Sequence, residues 1–170
     1  MDQIRDTRIS VQGDLDGYSS FPAPKCTLVP KRFFKPEEAR RTLAEVTRLK
    51  DSELVDYILV PDYDAILIHS GTVLPELYHV LKRLPSCEEY NKILASYKDG
   101  YLSLGIAQGR TLLLANVYKA VDFTTAEYFL FLAMKTLQLN PEVSTICWKT
   151  PLTAEEEMSL YRYFKSVERI

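Results

Sequence analysis

Between Asp99 and Tyr118 the chain alternates in a way that only an extended backbone can use. Leu102, Leu104 and Ile106 recur every second residue with Ser103 and Gly105 between them, Gln108-Gly109-Arg110 makes a turn, and Thr111 to Tyr118 returns as a second apolar run. Period two puts alternate side chains on opposite faces of a strand, so the segment reads as a β-hairpin. A third short strand is expected around Lys119 to Val121. Thr124-Thr125-Ala126-Glu127 has the spacing of a capping box and should open a helix that is apolar nearly all round (Tyr128, Phe129, Leu130, Phe131, Leu132, Met134) and stopped by Asn140-Pro141. Val143 to Trp148 reads as a strand. Thr153-Ala154-Glu155-Glu156 is a second capping box, opening a helix with Leu160, Tyr161, Phe164 and Val167 on one face. Antiparallel strands feeding a βαβα tail describe a mixed sheet with helices packed on it, an α+β or α/β class.

The front of the chain is organised differently. Residues 1–25 are rich in Asp, Gly, Ser and Pro, and the patch Ile9 to Val11 is too short to anchor a core, so a loose arm is expected. Cys26-Thr27-Leu28-Val29-Pro30 reads as a short strand closed by proline. Pro36 sits in the first turn of a helix that repeats Ala39, Leu43 and Val46 at helical spacing and carries Arg40, Arg41 and Arg48 on its outer face. Leu54 to Val60 and Ala65 to Ile68 read as two strands joined by the tight turn Pro61-Asp62-Tyr63-Asp64. Leu74, Leu77, Leu81 and Leu84 mark an amphipathic helix between Pro75 and Pro85, and a further helix is expected to carry Tyr90, Ile93, Leu94 and Tyr97. Three segments result: an arm over 1–25, a first lobe over 26–98 and a second over 99–170.

Composition excludes several functions. The 170 residues carry 21 Lys plus Arg against 23 Asp plus Glu, so no charge excess draws the molecule onto a phosphate backbone, and nucleic acid is not the expected partner. Three cysteines (Cys26, Cys87, Cys147) stand far apart without a CxxC pair, and the only histidines are His69 and His79. Neither a disulfide framework nor a metal knuckle fits; free buried thiols in the cytoplasm are expected, with no cofactor and no metal. The most apolar window, Tyr128 to Met134, is far short of the roughly 18 residues of a membrane span, and the first residues lack the apolar stretch of a secretion signal. No GxxxxGK[ST], GxGxxG or GxSxG occurs.

Few residues invite chemistry. Asp62 and Asp64 could converge on a hard cation, but a solvated hairpin tip is the simpler reading. His69 beside Ser70 suggests a base and nucleophile, yet neighbours on a strand point to opposite faces. Lys149 next to Trp148, with Tyr161, Tyr163 and Phe164, could form a stacking surface, although Tyr161 and Phe164 fall on the apolar helix stripe. A two-metal nuclease needs carboxylates on its leading strand, and Tyr101 to Ala107 has none.

Cys26 to Pro30, Leu112-Leu113-Leu114-Ala115-Asn116, the Tyr128-Phe129 helix and Leu160-Tyr161-Arg162-Tyr163-Phe164 together resemble a family of uncharacterised bacterial proteins with an actin-like ATPase fold. The resemblance covers roughly Cys26 to Val167. It implies a ribonuclease-H-like second lobe facing an incomplete first lobe across a nucleotide cleft. Actin-like ATPases hold phosphate in two hairpins, each opening with Asp and small residues so that backbone amides approach the nucleotide. The first hairpin would lie before Cys26, where Asp14-Leu15-Asp16-Gly17 is the nearest remnant. The second would be Asp99-Gly100-Tyr101-Leu102-Ser103, with Asp99 and Gly100 as the relic phosphate contact and bulky Tyr101 and Leu102 where close approach wants glycine. A non-enzymatic interaction or scaffold protein is the expectation, with a nucleotide-binding ATPase or phosphotransferase completed by a partner or missing segment as the alternative. The first lobe's sheet, lacking strands, should offer an open edge to a protein partner or a second copy.

Overall fold

The expected hairpin lies inside a larger mixed sheet. In the computed structural model, which describes residues 23–170, β1 spans Cys26–Pro30, α1 Ala39–Ala44, β2 Val55–Val60, β3 Ala65–Ser70, α2 Glu76–Arg83 and β4 Asn91–Lys98. They are followed by β5 Tyr101–Gln108, β6 Thr111–Lys119, α3 Phe123–Thr136, β7 Thr145–Trp148, α4 Ala154–Tyr161 and β8 Ser166–Arg169. Most of the expected arm, including Ile9 to Val11 and Asp14 to Gly17, lies outside the described residues.

Five strands form one sheet in the order β6-β5-β4-β7-β8, antiparallel on the β4-β5-β6 side and parallel across β4-β7-β8. The parallel pairs need crossovers, and α3 and α4 supply them. Three strands form a second sheet, β1-β3-β2, antiparallel throughout, so that among the described residues β1 and β2 are its edges.

Strand alternation assigns the layers. Ile93, Ala95, Leu102, Leu104, Ile106, Ile146 and Trp148 share a core with Leu130 and Met134 of α3 and Leu160 of α4. Their neighbours Leu94, Tyr101, Ala107 and Cys147 turn the other way and join Leu77, Val80 and Leu81 of α2 with Cys26, Leu28 and Leu67 of the three-stranded sheet. The remaining face of that sheet, Ile66 and Ile68, is covered by Ala39 and Leu43 of α1. At Gly105 of β5 a Cβ atom would stand 3.2 Å from Leu84 Cδ2 and 3.4 Å from Val80 Cγ1. Glycine there lets the α2 layer settle directly on the sheet.

Several expectations need correction. The helix over Tyr90 to Tyr97 is strand β4: Ile93, Leu94 and Ala95 are all fully buried because both faces are covered, and two-sided burial erases the period that marks a strand. No separate strand forms at Lys119 to Val121; β6 runs to Lys119, the Ala120 N–H bonds to the Gly100 carbonyl at 2.8 Å, and Val121 is exposed. The cap of α3 is Asp122, whose carboxylate accepts from the Thr125 N–H at 2.8 Å and the Thr125 hydroxyl at 2.7 Å. Glu127 takes no part in capping. It is buried and accepts the Ser159 hydroxyl of α4 at 2.8 and 3.0 Å. Nor is α3 covered all round, since Tyr128 and Leu132 are exposed. The helix ends at Thr136, before Asn140, with Gln138 in the left-handed region at φ 59°. The following strand starts at Thr145 rather than Val143. In the last helix Thr153 and Glu156 do form the capping box, but α4 stops at Tyr161, which is half exposed, and Val167 belongs to β8.

Two outcomes test this packing. Leu130, fully buried, should not accept a carboxylate: Leu130→Asp removes cooperative folding in soluble expression and melting trials, because an unpaired buried charge costs several kcal/mol of a small total. Phe131→Asp, at a partly buried ring between Tyr163 and Phe164, should be milder. Burial also raises the Glu127 carboxyl above its ordinary range, against the opposing Ser159 hydrogen bond and Arg162 charge. A raised folded-state pKa contributes stability below the ordinary carboxylate range and loses it as pH rises through the folded value. Glu127→Gln should therefore gain stability relative to wild type as pH rises from the ordinary carboxylate range through the raised folded-state value, read by urea denaturation across pH.

Candidate functional site

Ligands of sheets with parallel strands collect outside the strands' carboxyl ends, which here means the ends of β4 and β7. At that end β4 passes into β5 through a two-residue turn, Asp99-Gly100. Both residues are left-handed, at φ 54° and 82°. Successive positive φ values suit the tight hairpin turns for which Asp-Gly is favoured. Tyr101 and Leu102 follow at once, 5% and 0% exposed. The backbone is thus drawn into the core within one residue of the turn.

Asp99, Lys98, Tyr101 and Ser103 form one wall of a cavity of about 620 Å³. Lys25, Glu53 and Ser70 from the end of the three-stranded sheet form another, and Pro75 to Leu77 at the start of α2 close it. The hydroxyl of Tyr101 is buried and has no hydrogen-bond partner among the described residues. Lys25 Nζ lies 2.6 Å from Glu53 Oε1, and this hydrogen bond, with the backbone N–H of Lys50, holds the Glu53 carboxyl below its ordinary range.

Beside the turn is a second cluster. Ser96 on β4 donates to Glu76 Oε2 at 2.5 Å, and Lys149, just past β7, lies 3.2 Å from both Glu76 carboxylate oxygens. The Lys149 N–H bonds to the Ala95 carbonyl at 2.8 Å, so the pairing of β4 with β7 places the lysine. One residue on, the Thr150 hydroxyl accepts from the Tyr97 N–H at 3.1 Å and the Trp148 indole N–H at 2.9 Å. Glu76 is therefore occupied twice. A carboxylate so paired has little hydrogen-bonding capacity left to orient water or a cation.

The other sequence candidates separate. Asp62 and Asp64 flank a recess with Tyr63, Lys92 and Arg110, and among the described residues no group of three His, Cys, Asp or Glu side chains could hold a metal. His69 is buried, whereas Ser70 lines the cavity beside Asp99, so the adjacent pair does not act together. Trp148 is buried and stacks on Phe123 at 5.3 Å, away from a surface role, while Phe131 contacts Tyr163 at 4.8 Å. The leading strand of the large sheet is β4 rather than β5, and Asn91–Lys98 also lacks a carboxylate. Glu76 and Ser96 went unnoticed in the sequence because no motif joins them to Lys149; only the placement of β7 beside β4 does.

Among solved structures, a protein from Bacteroides thetaiotaomicron VPI-5482, described as having an actin-like ATPase fold and unknown function, superposes with a TM-score of 0.69 at 18% identity. The match covers 86% of this chain. The fold is that of the actin-like ATPases. A five-stranded mixed sheet with α3 and α4 packed on it is consistent with a ribonuclease-H-like lobe. The chain spans 65% of the length of this neighbour. No protein-family model matches the chain. No curated protein matches it either.

Asp99-Gly100 is the turn of the β4–β5 hairpin, next to the Glu76–Lys149 pair. The pair's side chains are 21% and 25% exposed, so it should carry measurable energy. Glu76→Ala and Lys149→Ala should each lower unfolding stability by about 1 kcal/mol. The double variant should cost less than their sum, with a coupling of roughly 0.5–1 kcal/mol from a denaturation cycle.

Proposed function

We propose that this chain is a non-enzymatic interaction protein on an actin-like fold, joined to a protein partner or a second copy through an open edge of the three-stranded sheet. The observation that supports it is the Asp99-Gly100 turn. The hairpin that should approach phosphate runs straight into the buried side chains of Tyr101 and Leu102, and its neighbouring carboxylate Glu76 is occupied by Ser96 and Lys149. Phosphate cradles need consecutive free backbone amides, which small residues leave accessible and bulky ones cover. The three-segment reading belongs to the same proposal: an arm, an incomplete first lobe carrying the open edge, and a second lobe that supplies rigidity. A cytoplasmic location is part of it as well, supported by Cys26, Cys87 and Cys147, which are all free and buried.

A competing reading, a nucleotide-dependent ATPase or phosphotransferase completed by a partner or a further segment, draws on one observation: Asp99 and Lys98 line a cavity of ligand size. A single measurement separates the two. Ligand binding to the native state must raise its melting temperature, so millimolar ATP with magnesium should leave the transition unchanged and release no phosphate. A rise of several degrees that Asp99→Ala abolishes would establish the nucleotide reading instead.

A further inference from the structure

We propose that β2 is a self-pairing edge, through which two copies of the chain join antiparallel with Tyr57 at the centre, and that the Asp56 carboxylate guards this edge. The proposal rests on the interaction reading above and adds to it the strand, the occupant and the guard.

Hydrogen bonding fixes which groups are available. Among the described residues β2 pairs with β3 alone, and the bond from the Gly71 N–H to the Leu54 carbonyl, 2.8 Å, sets the phase of that ladder. In an antiparallel pair alternate residues direct both backbone groups at the partner, so Asp56, Ile58 and Val60 face β3 while Val55, Tyr57 and Leu59 face outward. The Tyr57 N–H confirms the phase, because its acceptor is the Asp56 carboxylate at 2.8 Å and not β3. An unpaired row of this kind is a template for another strand.

The side chains choose the occupant. Val55, Tyr57 and Leu59 share one face of β2, with Tyr57 42% and Leu59 40% exposed, and Phe34 lies 4.7 Å from the Tyr57 ring. With Tyr57 opposite Tyr57 of a second copy, Val55 falls opposite Leu59, and apolar and aromatic cross-strand pairs of this kind stabilise a sheet. Asp56 then faces Ile58 of the other copy, so no like charges oppose each other. Such an arrangement is isologous and closes as a two-fold dimer, extending two three-stranded sheets into one of six. The other edge, β1, is unsuited. Cys26, Thr27 and Leu28 are buried, and Pro30 has no N–H.

Asp56 sits at the decisive donor. The central pair requires the Tyr57 N–H, which the carboxylate now holds, so assembly must first displace it. Negative side chains on edge strands serve this restraining purpose.

The test uses the full chain at concentrations spanning a hundredfold range by light scattering. Wild type should show a concentration-dependent dimer, and Asp56→Ala should tighten it about tenfold by releasing the N–H. Opposed residues of a hydrogen-bonded pair have Cα atoms about 5.5 Å apart, within disulfide reach. Tyr57→Cys treated with diamide should therefore yield a covalent dimer, and Thr27→Cys on β1 should not. Tyr57→Pro, which removes only an outward N–H, should be monomeric with native circular dichroism. A chain that stays monomeric even as Asp56→Ala, or a dimer in which Tyr57→Cys forms no disulfide, overturns the proposal. Either result removes the second copy at β2 and leaves the protein-partner form of the interaction reading, whose rival, the nucleotide reading, the ATP measurement tests separately.

Discussion

Gly105 allows the α2 layer to meet β5 so closely that an added Cβ would press on Leu84 and Val80, and the remainder of the architecture is arranged around that contact. With Leu84 and Val80 seated on the strand, Leu77 and Leu81 reach both Leu94 of the large sheet and Leu67 of the small one within one apolar cluster. The five-stranded sheet is thereby covered on both faces, by α2 on one side and by α3 and α4 on the other. Parallel strands such as β4 and β7 are stable under this condition, because βαβ crossovers leave them between layers rather than against water.

The same layering decides what the carboxyl ends of β4 and β7 can offer. Glu76 begins α2, Ser96 is near the end of β4 and Lys149 follows β7, so three elements bring one polar group each to a single point. Their mutual satisfaction is what burial demands of polar groups. It also leaves the cleft with Asp99, Lys98 and the Tyr101 hydroxyl, unpaired among the described residues, a set that differs from a phosphate cradle in having bulk where amides should lie open.

The hairpin from Tyr101 to Tyr118 was readable because its α2-facing side carries Ser103 and Gly105, small residues that preserve the alternation even in a buried strand. β4 was not, since Ile93-Leu94-Ala95 is apolar on both faces and looks equally like part of a helix. Capping at α3 was ambiguous between Asp122 and Thr124. The choice depends on Glu127 turning inward to Ser159, a residue of a different helix. The mixed α and β class was legible from element order, and the actin-like character from the resemblance carried by Cys26 to Pro30, Leu112 to Asn116, the Tyr128-Phe129 helix and Leu160 to Phe164. The polar cluster was not, because Glu76 and Lys149 meet only after β7 has inserted beside β4, and no local pattern encodes that event.

A two-lobed nucleotide-binding protein works by closing its lobes around a ligand, which requires a hinge and two cores that move past one another. Here Cys26 and Leu28 of the small sheet belong to the same cluster as Leu112, Ala115 and Cys147 of the large one. Interlocked side chains of that kind do not slide without losing their packing. The described part of the molecule is consequently a single block. Any change of shape it transmits must arise at its margins, where strands end and other chains can attach, and not by flexing across the cleft.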